Sequence, residues 1–431
     1  MHDHQPVAVI TGLGCTTPLG GNIASTWSSL LAGHSGIRRL SQPWAKSLPV
    51  RIAAPAAVDP STAWQARGAR RLDRASLLAL IAAHEAWADA GFTAPSGTGA
   101  TVVDPQELAV VLGCGLGPQS TFLAAHEAWL RKGAEAIAPY ALPMFLGNSP
   151  AAQVGLALGA RAGVRAPVSA CASGAEAVAI GLDLIRSGRA KVVVVGGTDA
   201  GINPVTLSSF AAMNALSTRN DAPDQACRPF DLKRDGFVLG EGSGVLVLEE
   251  PGFARSRGAR PYCELLGSAV TSDSHHIAQP HPDGSGLCAA LEMALDDAEV
   301  DSTASVRLVS AHATSTPQGD RAEARALLKF FAPVPGRIAV SAVKSGMGHL
   351  LGAAGAVECA VTALCLYHRV APHVVNTENT SEHPDLNLIR GGPLRLPSGR
   401  LVALNNSLGF GGHNVVLALR SMSAACARRP S

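Results

Sequence analysis

Residues 168–174 read VSACASG, in which a short apolar run leads into a cysteine. The residues that follow, 174–185, are rich in Ala, Leu and Ile at helical spacing. We therefore predict that Cys171 lies where a helix begins. Backbone N–H groups and the helix dipole stabilise a thiolate at such a position, so the sequence predicts an ionised, nucleophilic sulfur.

Two histidines far downstream are the natural partners of this cysteine. His312 follows the strand-like residues 307–311, and His349 lies in a Ser/Gly-rich turn after the strand-like residues 338–341. The carboxyl ends of strands carry the chemistry of α/β proteins, so we expect both imidazoles to face Cys171. A cysteine nucleophile with distant histidines is a pattern of covalent catalysis.

A lysine and a glutamate belong to the same part of the chain. Lys344 comes just after the second of these strands, and Glu358 lies within an apolar helical segment. A buried carboxylate needs a partner, and Lys344 is one candidate. The alternative for Glu358 is a solvated helix face.

Strand-like and helix-like segments alternate along the chain, which predicts an α/β fold with a largely parallel sheet. This alternation occurs again in the second part of the chain. We therefore predict two halves, residues 1–258 and 259–431, joined across a polar stretch at residues 254–261. The predicted strands cover residues 7–12, 108–113, 192–195, 245–248, 265–267, 307–311, 338–341, 401–404 and 415–419. The predicted helices cover residues 72–90, 151–158, 174–185, 322–331 and 353–367.

The composition narrows the class of protein. Of 431 residues, 47% are hydrophobic and 16% charged, which predicts a large core or a buried subunit interface. A net charge of +2 and an aromatic content of 4% argue against a nucleic-acid partner. The apolar runs are short and interrupted, so we expect no membrane span. Nine scattered cysteines without a CxxC pair predict a reducing, cytoplasmic location.

Other cofactor and metal motifs are incomplete. The glycine-rich segments at residues 12–14 and 113–117 form neither a G-x-G-x-x-G fingerprint nor a P-loop. His275, His276 and His281 lie in a Pro/Gly loop without regular ligand spacing, so a polar surface loop is favoured over a metal site. The sequence therefore predicts no metal and no resident cofactor.

These features together resemble the β-ketoacyl-[acyl-carrier-protein] synthases of the thiolase superfamily, from residues 11–14 to residues 405–414. The Cys-His-His set is that of the elongating type, and residues 155–163 and 411–414 are similar to the mycobacterial long-chain branch. The resemblance implies a thiolase-like, layered α-β-α-β-α body and a homodimer. The specific segments are SACASG (169–174), LSTRN (216–220), RPFD (228–231), DGFVLGEG (235–242) and KSGMGH (344–349).

The resemblance also implies a decarboxylative Claisen condensation that elongates medium to long fatty acyl chains. Cys171 would hold the acyl group, delivered on the phosphopantetheine of an acyl carrier protein, as a thioester. A malonyl carrier protein would lose CO₂, and its enolate would attack that thioester. His312 and His349 would stabilise the developing charge. Lys344 would orient His312, and Glu358 would hold Lys344.

Further roles follow from the same resemblance. The backbone N–H groups of Cys171 and Phe410 would form an oxyanion hole, and Phe410 would also gate the acyl pocket. Thr314 and Thr316 would hydrogen-bond the pantetheine arm. The acidic carrier protein would dock on a basic cluster formed by Arg67, Arg70, Arg71 and Arg74, with Arg131 and Lys132 nearby as a second candidate.

Three positions depart from the family pattern, namely Leu408 for Phe, Asn214 for Arg and Ala313 for Gly. They bear on chain length and carrier contact and leave each catalytic group in place. Three alternatives stay open: a polyketide ketosynthase, a degradative thiolase and a non-catalytic chain-length partner subunit. A thiolase needs a second reactive cysteine, and Cys426 in the tail has no matching motif. The partner class lacks the nucleophile, so Cys171 argues against it.

Overall fold

The computed structural model describes residues 7–65, 71–93, 103–334, 336, 338–380 and 382–423. The strands in this part of the chain are β1 (Ala8–Thr16), β2 (Arg38–Arg39), β3 (Ile52–Ala53), β4 (Leu108–Gly113), β5 (Val164–Arg165), β6 (Val192–Asp199), β7 (Gly242–Glu249), β8 (Cys263–Ser272), β9 (Val306–Ser310), β10 (Ala339–Ser341), β11 (Val370–Ala371), β12 (Leu394–Arg395), β13 (Val402–Gly409) and β14 (His413–Ser421). The α-helices are α1 (Ile23–Ala32), α2 (Pro60–Ala63), α3 (Arg74–Asp89), α4 (Gln119–Lys132), α5 (Ala141–Phe145), α6 (Ser149–Leu158), α7 (Ser173–Arg186), α8 (Pro204–Ala212), α9 (Pro251–Ser256), α10 (Ser285–Asp297), α11 (Pro317–Phe330), α12 (Lys344–Met347) and α13 (Ala354–His368).

The main sheet repeats one topology twice. The first half of the chain supplies the neighbours β1-β7-β6-β4-β5, and the second half supplies β8-β14-β13-β9-β10. In both runs the first strand of the half lies beside its last strand, and the strand directions match pair by pair. An antiparallel contact between β1 and β8, with Val9 opposite Glu264, joins the two runs. The division at residues 258 and 259 itself stays a prediction.

The prediction of a largely parallel sheet is wrong, because the sheet is mixed. In each half the outer three strands run parallel, and the two inner pairs run antiparallel. One cause is local, since β13 and β14 are joined by only residues 410–412. A connection that short can link antiparallel strands alone, whereas a parallel pair needs a crossover of a dozen or more residues.

The layers are defined by the helices that lie between strands of both halves and by those that cover the outside. Helices α7 and α13 pack on each other and on strands of both halves, and α13 is buried from Ala354 to Leu366. Helix α3 covers β1 and β7 on one outer face, and α10 covers β8 and β14 on the other. The protein therefore has the predicted thiolase-like α-β-α-β-α order, with Cys171 at the start of a central helix.

The five predicted helices correspond to α3, α6, α7, α11 and α13, and their bounds agree within two residues except at the start of α11. Helix α11 begins at Pro317 rather than at residue 322, because the Thr316 side chain accepts a hydrogen bond from the Gly319 N–H. Within the described residues, one apolar stretch, Leu351–His368, has the length and composition of a membrane span. Since 89% of it is buried inside the protein, it is accounted for as a core helix.

Candidate active site

Cys171 lies on a tight turn between β5 and α7. A single 3₁₀ turn, Ala170–Ala172, carries Cys171 and runs directly into α7. The Ser173 hydroxyl closes this turn, since it donates to the Ala170 carbonyl at 2.7 Å and accepts from the Ser169 N–H at 3.0 Å. Ala170 has a left-handed backbone, with φ of 51°. The sulfur is therefore held at the helix start, as the sequence predicts.

The end of β13 lies directly against this turn. A Cβ placed on Gly409 would lie 2.3 Å from the Ser169 carbonyl oxygen and 3.4 Å from the Cys171 nitrogen. Only glycine allows the two backbones to approach this closely. The contact brings the backbone N–H of Phe410 within hydrogen-bonding reach of the sulfur, where that N–H and the N–H of Cys171 both lower the pKa of the thiol.

Cys171, His312 and His349 face one cavity of about 550 Å³. The two imidazole rings lie perpendicular to each other, with centroids 5.3 Å apart. Each histidine comes from a segment that follows a strand, His312 after β9 and His349 after β10. The remaining lining includes both predicted threonines, the Phe410 side chain and two positions that depart from the family pattern, and these residues are Thr314, Thr316, Phe410, Asn214 and Leu408.

A buried ion pair lies behind His312. Lys344 and Glu358 are each 1% exposed and are joined by a salt bridge between Nζ and Oε1. Lys344 Nζ also lies 3.5 Å from His312 Nδ1. Because an ammonium group can only donate, Nδ1 accepts and the proton of the neutral ring is on Nε2. Glu358 is thus in the buried position, not on a solvated helix face.

Both histidines are neutral donors at physiological pH. Burial, with the charge of Lys344 added to it, holds the pKa of His312 well below its usual value. The same two causes, burial first, lower the pKa of His349. A neutral imidazole that carries one N–H can stabilise negative charge on a substrate oxygen without itself being protonated.

The predicted resting thiolate is wrong for the protein without substrate. Loss of hydration, followed by the negative charge of Asp199, raises the pKa of Cys171 to about 12, although Lys344 and two backbone N–H groups oppose the shift. Cys171 keeps some exposure to the cavity, but the surrounding protein leaves the sulfur poorly hydrated. The thiol is therefore neutral at rest, and its proton must leave as it attacks.

Sequence reasoning missed a carboxylate that holds the His312 segment. Glu323, on α11, accepts hydrogen bonds from the backbone N–H groups of His312 at 2.8 Å and Ala313 at 2.7 Å. The Asn406 side chain donates to the same carboxylate at 3.2 Å. Ala313 has φ of 31°, and these bonds stabilise that conformation. In the sequence, Glu323 resembles any other charged residue of an amphipathic helix, so no neighbouring residue indicates that it accepts hydrogen bonds from the His312 segment.

A row of aromatic rings extends from Phe410 to His349. The Phe410 ring lies 6.3 Å from Phe210, Phe210 lies 5.1 Å from Phe237, and Phe237 lies 5.5 Å from His349, all between centroids. Phe410 is half-buried between Gly409 and Gly411. Rotation of the Phe410 ring would therefore change the shape of the cavity next to Cys171.

The two threonines lie side by side at the cavity wall. Thr314 Oγ1 and Thr316 Oγ1 are 3.0 Å apart. Ser315, between the two threonines, is fixed by two hydrogen bonds. Its backbone N–H donates to Asp320, and its hydroxyl accepts from the Arg228 N–H. The hydroxyls thus keep their places beside the cavity, where a polar chain could bind.

The basic surface expected for docking is only partly present. Arg74 is partly exposed, and its guanidinium is already paired with the buried carboxylate of Glu241, so it is less available to a carrier protein than an unpaired surface cation would be. Arg67 and Arg70 lie outside the described residues. Arg71 is exposed and lies over the Tyr140 ring at 5.2 Å. The remaining two cations are exposed on the last turn of α4, and they are Arg131 and Lys132.

The histidine-rich loop is exposed and borders the cavity mouth. His276 Nδ1 accepts from two backbone N–H groups of its own loop, and His281 pairs with Asp283. In the part of the chain that the structure describes, no group of three or more His, Cys, Asp or Glu side chains is placed to hold a metal. Cys426, the residue considered for a second thiol, lies outside that part.

Two family models match most of the chain. Residues 5–253 match the N-terminal domain of the β-ketoacyl synthases, and residues 262–378 match their C-terminal domain. The chain is 37% identical over 413 residues to the 3-oxoacyl-[acyl-carrier-protein] synthase 2 of Synechocystis sp., covering 96% of this chain and 97% of that protein. It is 35% identical over 417 residues to the protein of the same name from Staphylococcus aureus, covering 96% and 98%.

Solved ketosynthases have the same fold. A type II polyketide ketosynthase in complex with its acyl carrier protein, AntDE:AntF, superposes with a TM-score of 0.86 at 28% identity, over 97% of this chain and all of that one. The ishigamide ketosynthase/chain length factor superposes with a TM-score of 0.88, also at 28% identity, over the same 97% of this chain and 100% of its own.

Proposed function

This chain belongs to the β-ketoacyl synthase family, and from that premise we propose which of its residues carry out the family's reaction. The chain is a 3-oxoacyl-[acyl-carrier-protein] synthase, an acyltransferase that works with an acyl carrier protein. We assign the nucleophile to Cys171 and the stabilisation of charge to His312 and His349. The observation that carries this assignment is the single cavity that all three side chains face.

The first half-reaction transfers the acyl group to the enzyme. The Cys171 sulfur attacks the carbonyl of an acyl-pantetheine thioester, a new C–S bond forms, and the bond to the pantetheine sulfur breaks. The proton of the neutral thiol moves to the departing pantetheine sulfur. The N–H groups of Cys171 and Phe410 stabilise the negative oxygen of the tetrahedral intermediate.

The second half-reaction forms the carbon–carbon bond. The carboxylate of a malonyl thioester leaves as CO₂, and its bonding electrons move into an enolate whose oxygen accepts hydrogen bonds from His312 and His349. The enolate carbon attacks the Cys171 thioester, and the C–S bond breaks. The Cys171 sulfur takes up a proton, and the β-ketoacyl product stays on the carrier. The reaction requires no metal and no resident cofactor, because the pantetheine arrives with its carrier protein.

Lys344 and Glu358 act through His312. The lysine fixes Nδ1 of His312 as an acceptor and so presents Nε2–H as the donor. The salt bridge to Glu358 holds the ammonium group in that place. We therefore describe both as positioning residues rather than groups that touch substrate.

Acyl transfer and decarboxylation are expected to separate by mutation. Incubation with a carrier protein that bears a medium- to long-chain acyl group should increase the intact mass of the synthase by one acyl group. Peptide mapping should locate that group on Cys171. His312→Ala and His349→Ala should still be acylated, yet lose decarboxylation of malonyl carrier protein by about 10²- to 10³-fold. Mass spectrometry of the acyl carrier protein measures both steps.

Two results would contradict the assignment. An absence of any adduct on Cys171 would favour a chain-length partner subunit, and full decarboxylation in both histidine variants would remove their role in charge stabilisation. Repeating the assay with a panel of acyl lengths and carrier proteins separates fatty acyl elongation from a ketosynthase of a type II polyketide pathway. We expect the highest turnover with fatty acyl chains of medium to long length.

The proposed assembly is a homodimer, supported by a continuous exposed apolar surface. Helix α4 packs on α5, α5 on α6 and α6 on the edge strand β5. Large apolar side chains are exposed on or beside each of these elements, which a monomer rarely leaves in contact with water. Strand β5 also ends the sheet, with one edge unpaired. These apolar residues, called here the α4–β5 surface, are Phe122, Trp129, Leu130, Leu142, Leu146, Leu156, Val164 and Val168.

Light scattering is expected to give twice the 44.0 kDa mass of one chain. Leu130→Asp with Leu156→Asp should yield monomers, because each change places a charge in the proposed interface. Met293→Asp is the matched control, since Met293 is an exposed apolar residue on α10, outside the α4–β5 surface. A wild-type monomer, or an intact dimer in the double variant, would contradict the proposal.

The carrier protein is proposed to dock near the exposed cations Arg71, Arg131 and Lys132. Complementary charge would speed the encounter more than it deepens the affinity. A cytoplasmic location is also proposed, supported by eight unpaired thiols among the described residues.

A further inference from the structure

A buried carboxylate that the mechanism does not use lies at the end of β6. Asp199 is fully buried and accepts hydrogen bonds from the backbone N–H groups of Gly115 at 2.9 Å, Leu116 at 3.0 Å and Gly352 at 2.7 Å. The Cys114 thiol lies 3.3 Å from Oδ1, the oxygen that also accepts from Leu116. Three backbone N–H groups that converge on one buried carboxylate hold the segments that carry them in defined positions.

These donors come from two segments that both reach the active site. Leu116 packs in the same apolar cluster as Cys171, and a Cβ on Gly115 would lie 2.9 Å from the Ala170 carbonyl. Gly352 lies just beyond His349, in the turn that precedes α13. Asp199 therefore joins the wall behind the nucleophile to the segment that carries the second histidine.

The Asp199 charge also reaches the sulfur. Its negative charge is the second cause, after burial, of the raised pKa of Cys171. The pKa of Asp199 itself is raised to about 6 by burial, against the backbone N–H donors, so the group is ionised at pH 8. The other ionisable groups that act on Cys171 or Cys114 here are Lys344, which lowers the pKa of Cys171, and Asp73, which faces Cys114.

We propose that Asp199 is a positioning residue for the condensation. Its backbone N–H contacts hold the residue 115–116 segment, which lies against the Cys171 turn, at a fixed separation from the His349 segment. The proposal rests on the function assigned above, because it concerns the same two reacting groups. A carbon–carbon bond forms only when the enolate held by the histidines meets the Cys171 thioester at close range, and small errors in that separation are costly.

The Asp199→Asn variant tests both properties of this residue. The amide has the same shape, but it removes the charge and directs an NH₂ group at one of the backbone donors. The rate of Cys171 alkylation by iodoacetamide, measured by peptide mapping across pH 5–9, reports the effect of the Asp199 charge on the thiol. The condensation kcat and the melting temperature are measured on the same samples. Glu85→Gln is the matched control, a carboxylate on α3 that accepts from the N–H groups of Cys15 and Ile23 away from the cavity.

Opposite changes are expected in the two activities. Alkylation at pH 8 should rise about tenfold in Asp199→Asn, since the loss of a nearby negative charge lowers the thiol pKa by about one unit. This difference should shrink below pH 6, where the wild-type carboxyl is protonated. The condensation kcat should fall about tenfold, the consequence of a small misplacement of reacting groups. Glu85→Gln should match the wild type in both assays.

Asp199→Glu distinguishes charge from position and serves if the asparagine variant does not fold. It keeps the charge but moves the carboxylate, so alkylation should keep the wild-type profile while kcat falls. Unchanged kcat in both variants overturns the proposal, and so does a fall in kcat in Asp199→Asn without faster alkylation. Failure of the proposed function is a different result, because the wild type and Glu85→Gln would then also fail to condense.

Discussion

Replacement of Cys171 by alanine is expected to abolish chain elongation, by at least about 10⁴-fold in kcat, because no acyl-enzyme can form. Decarboxylation of malonyl carrier protein should persist, since His312 and His349 line the cavity independently of the sulfur. The product should be acetyl carrier protein without a new carbon–carbon bond. Mass spectrometry of the carrier protein after single turnover measures both outcomes together.

Cys288→Ala is the control for this experiment. Cys288 is another half-buried cysteine, on α10, and it does not line the cavity. It should elongate at the wild-type rate. Elongation by the Cys171→Ala variant would show that the nucleophile is misassigned. Loss of decarboxylation in that variant, with its fold intact, would show that the sulfur takes part in both half-reactions.

The largest loss of stability is expected from Lys344→Met. The change leaves the Glu358 carboxylate buried, 1% exposed, with no cation beside it. Removing one member of a buried pair typically lowers the free energy of unfolding by about 3–5 kcal/mol. Lys344→Met with Glu358→Leu should recover most of that loss without recovering condensation, because His312 still lacks the donor at Nδ1. Urea unfolding measures the first effect, and carrier-protein turnover measures the second.

An exposed ion pair supplies the comparison. Lys191 lies at the protein surface, with half of its side chain exposed, and pairs with Glu107 at 2.7 Å. Lys191→Met should change the free energy of unfolding far less than Lys344→Met does, as for exposed pairs in general. Equal losses in Lys344→Met and Lys191→Met would contradict the account of the buried pair.

The stability lost in Lys344→Met should also depend on pH. Burial raises the pKa of Glu358 to about 7, and Lys344 opposes that rise, so removal of the lysine raises the pKa further. A carboxyl whose pKa is higher in the folded than in the unfolded protein favours folding at low pH and loses that contribution as pH rises through the folded value. The deficit should therefore be larger at pH 8 than at pH 5. An equal deficit at both values would mean that Glu358 is not the group left unpaired.

Local segments were predictable from the residues nearby. Strand β4 matches its predicted residues at both ends, and α7 contains the whole of its predicted range, because apolar period and terminating glycines or charges act over a few residues. The Cys171 turn was predictable for the same reason. The resemblance of the chain to the synthases then predicted which distant residues would lie near Cys171. The structure brings these residues together, and they are His312, His349, Lys344 and Glu358.

The amino-acid sequence by itself indicated five of the helices, most of the main-sheet strands, a cysteine at a helix start and the family. Only the tertiary structure decided the strand directions, the protonation of the sulfur, the pairing of Arg74 with Glu241 and the contacts of Asp199 and Glu323. Each of these depends on groups that lie far apart in the chain and meet only in the folded protein. Hydration and charge at Cys171 are set by that packing, so no pattern of neighbouring residues could have shown them.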